Sequence, residues 1–82
     1  MMEQFVATFH THLAALRSCR ALGKSPETEA KMAPVPRALS SSCGTCVFYQ
    51  GETPLVDLLD RDLEAVYRQV SGGFQLVFMA ED

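Results

Sequence analysis

The chain has 82 residues, of which 48% are hydrophobic, and a length of this order predicts one domain spanning residues 1–82. Its formal net charge of −3 gives no electrostatic attraction for nucleic acid or an anionic membrane, so neither is expected as a partner. A cytoplasmic location is predicted, because no apolar run could span a bilayer, no secretory signal is evident, and the three cysteines are an odd number.

The first half of the chain predicts a strand, a helix and a second strand. Residues 4–9 alternate between two faces, as in a strand. Helical spacing follows, with Thr11 as the N-cap and Gly23 as the residue that ends the helix. Residues 24–29 are polar and form a loop. Residues 30–35 form a short strand, which its prolines confine to an edge of a sheet.

The second half predicts a strand, a helix and a strand. Residues 36–44 are a connection, and the aromatic and β-branched residues 46–50 form the third strand. Residues 53–70 predict a second helix, because leucine, valine and tyrosine recur at 3.6-residue spacing, with the acidic residues on its solvated face. Gly72-Gly73 ends this helix. Residues 74–80 have the composition of a final strand that is buried on both faces.

The order of these elements, βαββαβ, predicts a ferredoxin-like α+β sandwich. Its four-stranded antiparallel sheet has the order 4-1-3-2, and both helices lie on one face. The alternative is a less regular α+β sandwich with the same layers. In the ferredoxin-like topology the connection 36–44 lies at the edge where the first helix begins. This places Cys43 and Cys46 near His10, Thr11, His12 and Arg37.

Residues 40–46, SSSCGTC, are the strongest candidate for chemistry. A helix N-terminus and the cation of Arg37 both favour a thiolate and lower the pKa of a cysteine. Gly44 permits unusual backbone angles beside the thiol. The neighbouring serines can donate hydrogen bonds to a sulfur anion or a bound oxyanion. Cys43 is therefore the candidate reactive thiol, and the candidate binding residues around it are His10, Thr11, His12, Ser41 and Ser42.

The segment KMAPVPRALSSSCGTCV, with the preceding FHTHLAAL, resembles the putative Se/S carrier protein-like family. The resemblance covers roughly residues 5–50 and is carried by Pro34, Pro36, Arg37, the serines and Cys43-Gly44. It implies a small cytoplasmic domain that carries sulfur or selenium, with Cys43 as the carrier and Arg37 as its electrostatic partner. Cys46 departs from the family's pattern, in which an apolar residue is usual, and the acidic 24–29 loop is longer.

The first functional hypothesis is a non-enzymatic carrier that needs no cofactor. A donor such as a cysteine desulfurase would transfer sulfur or selenium to the Cys43 thiolate, giving a persulfide or selenopersulfide. An acceptor protein would then remove it. Cys46 could serve as a resolving thiol that releases the cargo by forming a disulfide with Cys43.

Three alternatives remain open. A zinc site could use Cys43, Cys46, His10 and His12, although the spacing of the two histidines does not match common zinc motifs. A dithiol–disulfide oxidoreductase could use the Cys-x-x-Cys motif, which here precedes a strand and does not open a helix as in thioredoxin-type sites. The chain could also be a purely protein-binding domain, and its edge strand at 30–35 could pair with another copy to form a homodimer.

Overall fold

A computed structural model describes residues 2–81 and has one antiparallel sheet with one α-helix packed on it. The elements, in chain order, are β1 (Glu3–Phe9), α1 (His12–Leu22), a 3-10 turn (Pro26–Thr28), β2 (Lys31–Pro34), β3 (Thr45–Gly51), a 3-10 turn (Val56–Leu58), β4 (Leu63–Val70) and β5 (Gly73–Met79). The strands lie in the order β2-β3-β1-β4-β5.

β1 is the central strand, and it is buried on both faces. Phe5 pairs with Tyr49 of β3, and their rings stack with centroids 5.5 Å apart. On the opposite face Val6 and Thr8 are equally buried. Burying a large apolar side chain contributes about 1.5–3 kcal/mol, so the two faces of β1 hold the sheet together.

α1 begins and ends at the residues that the sequence predicts. Thr11 is the N-cap, and its hydroxyl accepts a hydrogen bond from the amide of Ala14 at 3.1 Å. Gly23 is the C-cap, and its amide donates to the carbonyl of Cys19 at 2.8 Å. The helix covers one face of the sheet with a buried row of small and apolar residues: Ala14, Ala15, Ser18 and Leu22.

The predicted ferredoxin-like fold is wrong, because residues 53–70 do not form a second helix. Leu55 has a left-handed φ of 53°, which interrupts a helical backbone directly after Pro54. Val56–Leu58 then makes only a single 3-10 turn, and a strand begins at Leu63. The sheet therefore has a fifth strand, β4, between β1 and the last strand.

Hydrogen bonding along both edges explains why residues 63–70 form a strand. β4 pairs with β1 on one side and with β5 on the other, and such pairing overrides helical spacing in the sequence. Gly72, with a φ of 85°, turns the chain into the β4–β5 hairpin and does not end a helix. β5 is an edge strand, so its predicted burial on both faces is also wrong: Leu76 and Met79 are 46% and 62% exposed.

Candidate thiol site

The connection between β2 and β3, residues 35–44, lies at the edge of the sheet where α1 begins. β1 and β2 both run antiparallel to β3, so both end at the edge where β3 starts. Thr45, the first residue of β3, pairs with Pro34 at the end of β2. His12 begins α1, and its Nδ1 lies 3.3 Å from the Thr45 hydroxyl oxygen. The cysteine loop therefore meets the N-terminus of the helix.

Cys43 is half-buried in this loop and packs against the main core cluster. Its Sγ donates a hydrogen bond to the carbonyl oxygen of Thr45 at 3.4 Å. The hydroxyl oxygen of Ser41 lies 3.9 Å from the same sulfur. Gly44 follows with a φ of 73°, in the left-handed region that favours glycine, and its carbonyl accepts from the amide of Val35 at 3.1 Å. The thiol is thus held by its immediate neighbours.

The serines before Cys43 tie the loop to β1 and β4. The hydroxyl of Ser41 donates to the carbonyl of Phe9, the last residue of β1, at 2.9 Å. The hydroxyl of Ser42 donates to Glu64 Oε2 at 2.5 Å, and its amide lies 3.2 and 3.3 Å from the two carboxylate oxygens. Nδ1 of His10 lies 3.3 Å from Glu64 Oε2 and 3.5 Å from the Ser42 hydroxyl oxygen.

Glu64 is therefore the polar centre beside the thiol loop. Its side chain is 20% exposed, whereas that of His10 is 49% exposed. Burial alone would raise the pKa of Glu64, but the hydrogen bonds from the hydroxyl and amide of Ser42, together with the nearby His10, outweigh it and hold the pKa below its ordinary value. The carboxylate is thus kept ionised, as an acceptor for the loop.

A cleft of about 270 Å³ opens on the same side as this cluster. It lies between the ends of β1, β4 and β5, and its lining includes His10, Glu64, Tyr67 and Met79. Cys43 does not line it, so the cleft lies beside the thiol and does not enclose it.

Arg37 and Thr11 are placed differently from the serines. Arg37 is exposed in the turn closed by the Leu39 amide, which donates to the Pro36 carbonyl at 3.0 Å. Within residues 2–81 its guanidinium makes no hydrogen bond or ion pair, so its role as electrostatic partner of Cys43 stays a prediction. The hydroxyl of Thr11 is engaged as the cap of α1.

Cys46 lies in β3, paired with Thr8, and is 0% exposed. Its Sγ donates to the carbonyl of Pro34 at 3.7 Å. Burial, reinforced by the charge of an ionised Cys43, raises the pKa of the Cys46 thiol to about 11. A buried thiol that keeps its proton is a poor nucleophile, which argues against the predicted resolving role.

The zinc alternative does not find its ligands assembled. In the part of the chain that the structure describes, no three His, Cys, Asp or Glu side chains are grouped to hold a metal ion, and this includes the set Cys43, Cys46, His10 and His12. The oxidoreductase alternative has the unfavourable context that the sequence indicates: Cys43 precedes β3, Cys46 is its second residue, and no helix begins at the motif.

Comparison with protein families gives a match to the family described as "Putative Se/S carrier protein-like", over residues 4–60. The matched segment is more than half of the chain. The chain belongs to this family. Comparison with curated proteins and with solved structures gives no match. The family description names selenium or sulfur as cargo, and the resemblance noted in the sequence is thereby confirmed. None of the helices in residues 2–81 is long and apolar enough to cross a membrane.

The match spans the whole cysteine loop of this Se/S carrier-like chain, but it ends before β4 and β5 begin. The roles of individual residues in the loop therefore stay predictions. Glu64 lies outside the matched segment, and the helical spacing of residues 53–70 predicts it on the solvated face of a helix that does not form. No pattern in the sequence pairs it with Ser42, 22 residues away.

Proposed function

We propose that this Se/S carrier-like protein binds one sulfur or selenium atom covalently on Cys43 and passes it from a donor protein to an acceptor protein. The observation that supports this most directly is the position of Cys43. Of the three cysteines, Cys19 lies in α1 and Cys46 in β3, whereas Cys43 lies half-buried in the loop at the N-terminus of α1. Cys19 and Cys43 are both partly exposed, but only Cys43 lies in a loop, where its backbone can adapt to a partner within a family described by selenium or sulfur cargo.

The other two thiols are less suited to the task. Burial raises the pKa of Cys19, although a backbone hydrogen bond involving Met32 opposes this, and burial raises that of Cys46 to about 11. A thiol must ionise to attack a sulfur atom, and a raised pKa lowers the fraction that is ionised at neutral pH.

Two positive features lie near Cys43, the N-terminus of α1 and the cation of Arg37. α1 has no acidic residue in its first turn, so none of its own carboxylates offsets the partial positive charge of its N-terminus, whereas the ionised Glu64 that holds Ser42 opposes it. His12 links that first turn to Thr45, and the carbonyl of Thr45 accepts from the thiol, a hydrogen bond that must break before the sulfur can attack a donor. Arg37, in the same loop, adds an exposed cation that attracts an incoming persulfide, which is itself an anion.

Loading requires a donor that carries a persulfide, such as a cysteine desulfurase. The Cys43 thiolate attacks the outer sulfur of the donor persulfide, so a new S–S bond forms while that of the donor breaks. The donor leaves as a thiolate and takes up the proton that Cys43 released, and no external oxidant or reductant is consumed. Selenium follows the same course from a donor selenopersulfide. The acceptor nucleophile then attacks the outer atom, and Cys43 leaves as a thiolate. The protein carries the atom without catalysing a reaction of its own.

The test is incubation of the purified protein with a cysteine desulfurase and cysteine, followed by mass spectrometry of the intact chain and of its peptides without reductant. We expect one added sulfur atom on the peptide that contains Cys43. Incubation with selenocysteine and a selenocysteine lyase should add one selenium atom at the same position.

One variant tests the assignment of Cys43, and two variants at the other cysteines are its matched controls. Cys43→Ser should lose loading while its circular dichroism spectrum stays that of the wild type. Cys19→Ser and Cys46→Ala should load as the wild type does, because neither thiol takes part. Undiminished loading of Cys43→Ser, or loss of loading in Cys46→Ala with the fold intact, would contradict the assignment.

A further inference from the structure

The loop that carries Cys43 is held from outside by the carbonyl of Phe9, through Ser41, and by the carboxylate of Glu64, through Ser42. Residues 35–44 contain no helix or strand, so their shape depends on contacts with the sheet. Ser42, which immediately precedes Cys43, is held through both its amide and its hydroxyl by Glu64 of β4. Hydrogen bonds to an ionised carboxylate are roughly twice as strong as neutral ones.

Glu64 reaches the loop because β4 contains an irregularity at this residue. Thr8 of β1 pairs with Ala65 of β4, and Phe9 pairs with Leu63. Glu64, between these two residues of β4, therefore has no pairing partner on β1. A bulge of this kind bends the strand and redirects the side chain of the extra residue, and bulges recur beside functional sites. The backbone of Glu64 is held on the side of β4 that faces β5, where its carbonyl accepts a hydrogen bond from the amide of Ala80 at 2.9 Å.

We propose that Glu64 is a positioning residue for the carrier thiol: it fixes Ser42 and, through Ser42, sets the orientation of Cys43. This inference rests on the proposed function, and it assigns part of the site to a strand that lies outside the family match. The β4–β5 hairpin then supplies one wall of the cysteine loop as well as two strands of the sheet.

The groups that face Glu64 determine how its effect depends on pH. β1 brings His10 from its C-terminal end, and the loop brings the uncharged groups of Ser41 and Ser42. Met79, the last residue of β5, and Ala80, which follows it, carry no titratable side chain. Because the pKa of Glu64 is lowered from 4.5, the hold on Ser42 should persist through neutral pH and be lost only below that value.

The experiment compares the wild type with Glu64→Gln, Glu64→Ala and the matched control Glu27→Gln, which removes an exposed carboxylate on a 3-10 turn. The amide resonance of Ser42 is followed by NMR from pH 7 to pH 3, and its hydrogen exchange is measured at pH 7. We expect the resonance to titrate below pH 4.5 in the wild type and in Glu27→Gln, but not in either Glu64 variant.

We further expect the Ser42 amide to exchange about tenfold faster in Glu64→Ala, since a charge-assisted hydrogen bond is lost, and less so in Glu64→Gln, which keeps one acceptor oxygen. The rate of Cys43 alkylation should differ from that of the wild type most in Glu64→Ala and less in Glu64→Gln. Normal circular dichroism shows that each variant is folded. A Ser42 resonance that titrates unchanged in Glu64→Gln, or equal exchange in all variants, would overturn the assignment of Glu64.

Failure of the two proposals can be told apart. If the wild type accepts no sulfur from any donor while Ser42 titrates with Glu64, the carrier function is wrong and the positioning contact stands. If the wild type accepts sulfur and both Glu64 variants accept it at the wild-type rate, the carrier function stands and the positioning role of Glu64 is overturned.

Discussion

Thr8 and Cys46 are cross-strand partners on β1 and β3, and their side chains are 1% and 0% exposed. The pair closes the sheet directly below the loop that carries Cys43. The two cysteines of the motif therefore occupy different environments, one sealed in a strand and one half-exposed in a loop, although three positions separate them.

This difference predicts selective alkylation of the native protein. With iodoacetamide at pH 8 we expect Cys43 to react at least about a hundredfold faster than Cys46, because Cys46 is inaccessible and its pKa is about 11. Peptide mass spectrometry of a time course gives the two rates. In denaturant the rates should converge. Comparable rates in the native state would show that the sealed position of Cys46 is incorrect.

The same buried thiol predicts a loss of stability at alkaline pH. The pKa of Cys46 rises from 9.0 to about 11 on folding, so its contribution is complete below pH 9 and is lost as pH rises through 11. The loss should amount to roughly 2 kcal/mol. Urea unfolding between pH 8 and pH 11 measures it, and Cys46→Ala should have the shallower slope. Burial also raises the pKa of Tyr49, whose effect above pH 10 both proteins share. Parallel slopes would contradict the prediction.

Gly44 predicts a stability difference between two otherwise similar glycine substitutions. A Cβ added at Gly44 or at Gly73 meets no atom within 4 Å, but only Gly44 has a positive φ. Gly44→Ala should therefore cost about 1 kcal/mol of unfolding free energy more than Gly73→Ala, since a side chain disfavours the left-handed region. Gly44→Asn should recover part of the loss. Equal midpoints in urea for the two alanine variants would refute this account of the loop.

Arg37 predicts a salt-dependent loading rate. Arg37→Ala should slow transfer from a desulfurase by about three- to tenfold, because an exposed cation beside the loop attracts the anionic donor persulfide. Added salt should slow the wild type and leave the variant almost unchanged. Arg61→Ala, another exposed arginine, is the control and should behave as the wild type. Identical salt dependence of wild type and Arg37→Ala would remove Arg37 from the site.

The elements that the sequence predicts correctly are those with local signals. Alternation in residues 4–9 gives β1, and the capping residues Thr11 and Gly23 give α1, because a cap is a contact within one turn of the chain. The directions of β1, β2 and β3 then place the cysteine loop at the start of α1. None of these features depends on a contact with the C-terminal third of the chain.

The C-terminal third is misread because its outcome depends on distant partners. The apolar residues of 63–70 satisfy helical spacing, and only pairing with β1 and β5 decides that the segment is a strand. The Glu64 contact depends in turn on a bulge in that pairing. A register irregularity leaves no periodic trace in a sequence, so the carboxylate nearest the thiol loop could not be found there.

The position of β1 also governs how the molecule assembles. Of the five strands described, β1 is synthesised before the others, yet it is bordered by β3 and β4, and the contact between Thr8 and Ala65 spans 57 residues. Pairing between distant strands loses the entropy of closing a large loop before the new contacts stabilise the fold. Such sheets therefore fold slowly by comparison with helical bundles. Until β4 emerges, one edge of β1 in the nascent chain has no pairing partner. Cotranslational folding therefore cannot complete the sheet, and it cannot form the contact between Ser42 and Glu64, before β4 has been synthesised.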